Sequence, residues 1–205
     1  MKSAFELAWA TPAGWAEAAL EQPLALLSDH AHCELGAAAA AQGMLARKPE
    51  ASELVERLSA HALDELRHFK QVHRLLRELG GTLEPVRVNP YAEALTSRCE
   101  RGERNLLDRL LVAAVIERRS LERFERLAEA ADGRQPELAA LYRELAPSEA
   151  GHAALFVELA RDLYPREDVS ARLVRWVAFE AAAIAGLAFA PRIHSGPHSA
   201  DEEAR

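Results

Sequence analysis

Two Glu-x-x-His segments, each preceded by a lone glutamate, constrain this chain more than any other feature. The residues are Glu65 and His68, Glu149 and His152, with Glu34 and Glu117 as the lone glutamates. A spacing of three residues places carboxylate and imidazole side by side on one face of a helix. Each lone glutamate is therefore expected to face one of these pairs across a helical hairpin.

The turn signals support two antiparallel hairpins. In the first hairpin the turn should fall midway between the two glutamates, near residue 49, and the chain has Pro49 there. In the second the turn should fall near residue 133, where the chain has Asp132-Gly133. Proline cannot continue a helix, and Asp-Gly is a strong turn dipeptide. All four glutamates should therefore lie at nearly one height in a bundle.

The hydrophobic pattern predicts an all-helical chain, because apolar residues recur at helical spacing and the glutamates interrupt these apolar faces. Proline, glycine and capping signals indicate the boundaries. The predicted long helices span about Pro23 to Ala46, Ala51 to Leu79, Glu103 to Ala130 and Pro136 to Leu163. Additional helices are expected from Pro12, with Thr11 as its cap, to Leu20, from Tyr91 to Arg98, and from Val169 to Leu187.

The connections indicate the topology. Two short turns flank one long link, from Gly80 to Gly102, between the second and third long helices. This pattern is typical of a ferritin-like four-helix bundle with one long crossover connection, here with additional N- and C-terminal helices. We expect one ferritin-like domain over residues 1–190. Residues 191–205 are rich in Ser, His, Gly, Pro and acidic side chains, which predicts a flexible C-terminal tail.

The residue types favour a metal site. An unpaired carboxylate on an apolar face costs several kcal/mol or takes up a proton, and a metal ion removes that cost. Four carboxylates and two imidazoles suit two bridged iron or manganese ions, whereas zinc usually takes four ligands and often sulfur. Of the 8 histidines, only His68 and His152 have a glutamate three residues before them. The nearby His30, His32 and His61 are expected to be neutral, hydrogen-bonded side chains.

Composition limits the location and the partners of the protein. The 2 cysteines, Cys33 and Cys99, have no metal-site spacing and suggest a reducing cytosol. Neither a signal peptide nor an uncharged stretch of about 18 residues is visible, so we expect a cytoplasmic protein with no membrane association. The formal net charge of −7 disfavours binding to nucleic acid by bulk electrostatics.

The segment Asp64-Glu65-Leu66-Arg67-His68 resembles the D-E-x-R-H signature of di-iron carboxylate oxygenases and desaturases. The second segment, Ser148-Glu149-Ala150-Gly151-His152, keeps only the ligand types. In those families the aspartate and the arginine orient the ligands by hydrogen bonds. The second half of the site departs from that support, and Gly151 would make room for oxygen or substrate.

Together with that signature, two further segments resemble a narrower family. They are Asp29 to Glu34 and Ile116 to Phe124, and the chain opening Phe5 to Pro12 also fits. The family is the tRNA-(2-methylthio-N6-isopentenyladenosine) hydroxylases, known as MiaE, and the likeness covers about residues 4 to 195. It implies an O2-dependent di-iron monooxygenase that hydroxylates the isopentenyl group of adenosine 37 in the anticodon loop of tRNA.

The same resemblance implies the site residues and partners. The ligands of the two Fe ions, which are also the catalytic residues, would be Glu34, Glu65, His68, Glu117, Glu149 and His152. Two electrons must come from a separate electron-transfer protein or reductase, because the chain carries no flavin or nicotinamide fingerprint.

Other functions remain open from the sequence. A ferritin-like or rubrerythrin-like iron oxidase or peroxide scavenger uses similar ligands, as does a quinone or lipid hydroxylase, for which Trp176 to Leu187 is the candidate membrane-docking helix. Arginines crowd the third long helix and its approach, either as phosphate contacts or as a solvated face with i, i+4 ion pairs. They are Arg98, Arg101, Arg104, Arg109, Arg118, Arg119, Arg123 and Arg126.

Overall fold

The computed structural model describes residues 5–198, and every regular element in this range is helical. The helices are α1 (Trp15–Leu20), α2 (Pro23–Leu45), α3 (Ser52–Glu78), α4 (Pro90–Thr96), α5 (Asn105–Ala131), α6 (Pro136–Leu163) and α7 (Arg166–Ala185), with a 3-10 turn at Gly102–Arg104. The predicted all-α class is confirmed, and most helix boundaries lie within two residues of their predicted positions.

α1 begins later than the sequence predicts. Gly14 precedes Trp15 in a left-handed conformation, with a φ of 86°. The expected cap, Thr11, instead donates from its hydroxyl to Glu122 Oε2 at 2.5 Å. The cap prediction was wrong because a carboxylate on α5, distant in sequence, binds the threonine.

Two antiparallel hairpins form the bundle. α2 packs along α3, and α5 packs along α6. The first turn contains Pro49, and the second contains Gly133, whose φ of 72° lies in the left-handed region that glycine adopts without strain. The link between Glu78 and Asn105 joins the hairpins and carries α4. This is the predicted single crossover.

The hydrophobic core lies in two parts, above and below the level of the glutamates. One part includes Leu58 and Phe156, and the other includes Phe124 and Leu145, all of them buried. Charged and polar side chains occupy the layer between the two parts. The bundle therefore holds the site rigidly from both ends.

A quinone or lipid hydroxylase would require α7 to expose its large apolar side chains to a membrane, but α7 packs against the bundle. Trp176 and Ile184 are buried in the core, and Trp176 Nε1 donates to Asp108 Oδ1 at 3.1 Å. Trp176 and Ile184 are therefore not available for contact with a membrane surface. None of the helices within residues 5–198 combines the length and the apolar character needed to cross a bilayer.

The chain after α7, which the sequence assigns to a flexible tail, packs against the bundle. Ile193 and Ser195 are buried, and Ser195 Oγ accepts a hydrogen bond from Trp15 Nε1 at 2.9 Å. Residues 191–198 therefore contact α1 and the core, which the composition of the segment does not indicate. Residues 199–205 lie outside the described part of the chain.

Candidate metal centre

The predicted ligands converge between the two parts of the core. All six are buried, and none is more than 8% exposed. They come from the four long helices, one turn of each helix contributing to the same layer: Glu34 from α2, Glu65 and His68 from α3, Glu117 from α5, and Glu149 and His152 from α6. The structure thus brings together all six predicted ligands, and these six side chains form the cage.

Two glutamates lie close to both imidazoles. Glu65 Oε1 is 2.8 Å from His152 Nδ1, and Glu65 Oε2 is 3.6 Å from His68 Nδ1. Glu149 Oε1 lies 3.9 Å from His68 Nδ1 and 4.0 Å from His152 Nδ1. The central pair, Glu65 and Glu149, is therefore suited to bridge two ions.

The donor atoms are arranged to bind a metal ion rather than to form hydrogen bonds with one another. One atom from each of Glu65, His68, Glu149 and His152 lies within 4.8 Å of the others, and so does one from each of His61, Glu65 and Glu117. Four of these atoms, Glu65 Oε1, His68 Nδ1, Glu149 Oε1 and His152 Nδ1, are buried without a hydrogen bond of acceptable geometry. Buried polar atoms of this kind normally have a partner. Oxygen and imidazole donors facing one small volume suit iron.

The ionisable groups of the cage have strongly altered pKa values. Burial and the neighbouring Glu65 carboxylate raise the pKa of Glu117 to about 7. Burial and the Glu117 and Glu34 carboxylates raise the pKa of Glu149 well above its usual range. Burial opposes the charge on His68, but the nearby Glu34 and Glu65 carboxylates outweigh it and raise the pKa of His68 to about 10. These groups hold protons that a bound cation would displace.

Two further histidines contact the cage. His30 Nε2 lies 2.6 Å from Glu34 Oε1, and its ring stacks against Tyr142 at 5.6 Å. Burial favours the neutral form of Glu34, but the hydrogen bond with His30 and the nearby His68 imidazole hold the pKa of Glu34 below its usual range. His30 thus supports Glu34, in agreement with its predicted hydrogen-bonded role. Tyr142 packs beside this pair as a buried ring.

His61, expected to be a neutral, hydrogen-bonded side chain, lies among the cage carboxylates instead and makes no hydrogen bond of acceptable geometry. Its Nδ1 lies 3.3 Å from Glu65 Oε1, and its Nε2 lies 3.8 Å from Glu117 Oε1. Burial, with the nearby His152 and His68, lowers the pKa of His61 to about 4, which keeps the ring neutral. The signal in the sequence is its position four residues before Glu65 on the inward face of α3. By contrast His32 points to Glu84 O at 2.7 Å, away from the cage.

Two of the arginines considered as phosphate contacts are buried. Arg119 Nε donates to Glu180 Oε1 at 2.8 Å and Arg119 Nη1 donates to Glu122 Oε2 at 2.6 Å. The Arg123 guanidinium lies 3.7 Å from the centre of the Trp15 ring. Arg119 and Arg123 are therefore neither phosphate contacts nor part of a solvated face. Their side chains join α5 to neighbouring elements.

Comparison with known proteins agrees with this geometry. The chain matches the family described as tRNA-(MS[2]IO[6]A)-hydroxylase (MiaE) over residues 2–195. It is 38% identical over 161 residues to the tRNA 2-(methylsulfanyl)-N(6)-isopentenyladenosine(37) hydroxylase of Pseudomonas putida, covering 78% of this chain and 77% of that protein. The protein of the same name from Salmonella typhimurium is 32% identical over 149 residues, which cover 72% of this chain and 54% of the relative.

A solved structure shares the fold. Protein 43 with aldehyde deformylating oxygenase activity from Synechococcus superposes with a TM-score of 0.88 at 39% sequence identity, covering 95% of this chain and 98% of that one. This chain therefore has a ferritin-like helical bundle with a buried carboxylate and histidine cage. More narrowly, it belongs to the MiaE family of tRNA hydroxylases and is an enzyme, a hydroxylase. The predicted family and the predicted ferritin-like fold are confirmed.

Proposed function

We propose that this protein is an O2-dependent di-iron monooxygenase that hydroxylates the isopentenyl group of 2-methylthio-N6-isopentenyladenosine at position 37 of tRNA. The observation that carries the proposal is the convergence of four carboxylates and two imidazoles in one buried layer, in a chain of this family. The donor set is the one expected for two iron ions in a four-helix bundle.

The six residues divide by position. All six side chains would hold the two iron ions. Glu65 and Glu149 are the central carboxylates, because each lies within 4.0 Å of both His68 and His152. Glu34 lies beside His68, with its Oε2 3.6 Å from that imidazole, and Glu117 lies beside His61. When bound, a di-iron centre supplies O2 activation strong enough to replace an allylic C–H bond with C–OH.

The surrounding residues have separate tasks. His30 orients Glu34 by its hydrogen bond, and a tight apolar core on both sides of the layer limits the access of water. One oxygen atom of O2 would enter the product and the other would leave as water, which requires two electrons and two protons. The electrons would come from a separate electron-transfer protein or reductase, and we place the protein in the cytoplasm, where tRNA occurs.

The negative net charge is compatible with a tRNA substrate of this kind. Adenosine 37 lies in a single-stranded loop, and RNA-modifying proteins read splayed bases in pockets more than they grip long duplexes. Exposed arginines remain around the start of α5, among them Arg98, Arg101 and Arg104. Arg104 also pairs with Asp168 and Arg98 lies over the Phe179 ring, but all three are exposed to solvent, whereas Arg119 and Arg123 are buried.

A second candidate is the removal of the formyl carbon from a long-chain aldehyde. It is favoured by the Synechococcus protein, which carries that activity in its name and matches 95% of this chain at 39% identity. The same cage would serve both reactions, so the ligands cannot separate them. The difference lies in the substrate that reaches the cage.

One experiment distinguishes the two candidates. The iron-loaded protein is supplied with O2, a chemical or enzymatic electron donor, and either tRNA carrying the isopentenylated base or a long-chain aldehyde. Nucleoside mass spectrometry should show the modified adenosine gaining one oxygen atom, and the aldehyde should give no shortened hydrocarbon. Turnover of the aldehyde without hydroxylation of the tRNA would favour the second candidate and reject the first.

A further inference from the structure

Two polar bridges join α3 to α6 across the outside of the cage. Arg57 Nη2 donates to Glu158 Oε2 at 2.6 Å, and Gln71 Nε2 donates to Glu144 Oε1 at 2.9 Å. The two bridging residues of α3 are fourteen positions apart, and so are the two of α6. The helices are antiparallel, so these bridges fix the register of the seam between them.

Midway between the two bridges, no described side chains join the helices across the outer face of the seam, although Glu65 and His152 lie 2.8 Å apart beneath it. Counting seven residues from either bridge on both helices brings Asp64 opposite Gly151. The Asp64 carboxylate pairs with Arg67 on its own helix. Gly151 is exposed, and a Cβ atom placed there meets nothing within 4 Å. The outer face of the seam thus carries no polar bridge for about 10 Å in each direction from Gly151, at about 1.5 Å per helical residue.

The unbridged part of the seam lies over the most exposed members of the cage. The side chains of His68 and His152 are 9% and 10% exposed, whereas that of Glu65 is 1% exposed. Ser148 and Leu155 lie three and four residues from Gly151, on the same side of α6, and both are half-buried. The unbridged stretch between α3 and α6 therefore has one hydroxyl and one apolar side chain at its edge.

The opposite seam, between α2 and α5, is closed. His194 lies across it, with Nε2 3.1 Å from Ser120 Oγ and Nδ1 3.8 Å from Cys33 Sγ. The Tyr91 ring stacks on His194 at 4.7 Å, so the crossover and the C-terminal segment cover this side. Access to the cage from the α2 and α5 side is blocked one turn from Glu117.

We propose that the substrate base reaches the cage through the unbridged stretch between α3 and α6, and that the absence of a side chain at Gly151 sets the size of the group admitted. The inference rests on the proposed function, since the occupant is a flat adenine with an aliphatic substituent. Leu155 suits the aliphatic group, and Ser148 suits a polar edge of the base. In the D-E-x-R-H segment of α3, Arg67 occupies the position that corresponds to Gly151 on α6. The two halves of the site therefore differ at this position.

Gly151→Leu tests the proposal, with Gly43→Leu as the matched control. Gly43 is also an exposed glycine inside a helix, with nothing within 4 Å of its added Cβ, and it lies more than two turns from Glu34. Leucine favours helix over glycine, so neither variant should melt below the wild type. Both variants should bind two irons per chain. The kcat/KM for isopentenylated tRNA should fall at least tenfold in Gly151→Leu and stay within twofold in the control.

A binding measurement accompanies the kinetics. Anticodon stem-loops with and without the isopentenyl modification are titrated into the iron(II)-loaded protein without O2. The preference of the wild type and of Gly43→Leu for the modified stem-loop should disappear in Gly151→Leu, while the affinity for the unmodified stem-loop stays the same. This selective loss separates exclusion of the base from general weakening of RNA binding.

The outcomes are distinct. If the wild type does not hydroxylate the tRNA, the proposed function itself fails before any variant is compared. If the wild type is active and Gly151→Leu keeps wild-type kcat/KM, the unbridged stretch is not the route of the base. If Gly151→Leu loses iron, the smaller Gly151→Val is measured in the same way, and loss of iron in both overturns the proposal, because residue 151 would then act on the cage.

Discussion

Arg119→Met is expected to lower the free energy of unfolding by about 3–5 kcal/mol, the usual cost of removing one partner of a buried ion pair. Arg119 and Glu180 are both 0% exposed, and Arg119 Nε and Nη2 lie 2.8 and 3.0 Å from the two oxygens of Glu180. After the substitution, the Tyr91 hydroxyl at 3.1 Å is the remaining hydrogen-bond donor observed on Glu180. A buried carboxylate with one donor is poorly compensated.

The cost should appear as a large change in melting temperature. For a domain of about 150–250 residues, each kcal/mol changes the melting temperature by about 2–4 °C, which gives a decrease of about 6–20 °C. The Glu122 carboxylate should contribute little to this loss, because it also accepts hydrogen bonds from Thr11 and Arg126. The Glu180 carboxylate therefore dominates the effect.

A double-mutant cycle measures the coupling. Glu180→Gln keeps an acceptor for the Tyr91 hydroxyl and removes the charge, so Arg119→Met/Glu180→Gln should lose at least about 2 kcal/mol less than the sum of the single variants. Urea unfolding followed by circular dichroism, at equal iron content, gives the four free energies. Additivity within about 0.5 kcal/mol, or a loss below about 1 kcal/mol for Arg119→Met alone, would refute the reasoning.

Three other substitutions address the cage, the covered seam and the second turn. Glu117→Ala should lose iron and activity while the helical circular dichroism stays unchanged, because the remaining carboxyls can take up protons; two irons per chain by metal analysis would contradict the ligand set. Burial, with Arg123 and Arg119 nearby, lowers the pKa of His194 to about 3. The unfolded chain therefore takes up a proton near pH 6.5 that the folded chain does not, and stability should decrease by about 2 kcal/mol between pH 6.5 and pH 5. His194→Asn should lose this part of the pH dependence in urea unfolding, and an unchanged profile would place the titration elsewhere. Gly133→Ala should cost about 1–2 kcal/mol in the same assay, because its φ of 72° is unfavourable for alanine; a neutral effect would show that the turn can rearrange.

The cage and the two hairpins could be predicted because their determinants are local in the sequence. The i, i+3 spacing of Glu65 and His68 is a property of one helix turn, and the turn at Gly133 follows from two adjacent residues. The midpoint of each hairpin then aligns the glutamates by helix geometry alone. The inward position of His61 follows from the same periodicity, although the sequence predicts only a neutral, hydrogen-bonded side chain there.

The covering of the seam between α2 and α5 and the burial of Arg119 and Arg123 could not be predicted in this way. Arg119 meets Glu180 across 61 positions of the chain, and Trp15 meets Ser195 across 180. Nothing local in the C-terminal residues indicates burial, since serine, histidine, glycine and proline are typical of exposed tails. Their partners become visible only when α1, α5 and α7 are packed together.

The sequence by itself therefore determined the helices, the hairpins and the residues of the candidate metal site, because helix period and turn chemistry act over a few neighbouring residues. The tertiary structure decided which seams of the bundle are bridged or covered. Between α3 and α6 this depends on the register of the two helices, in which Arg57 and Gln71 find partners and Asp64 lies level with Gly151. Register between helices is set by the packing of whole faces, and no short stretch of sequence contains that information.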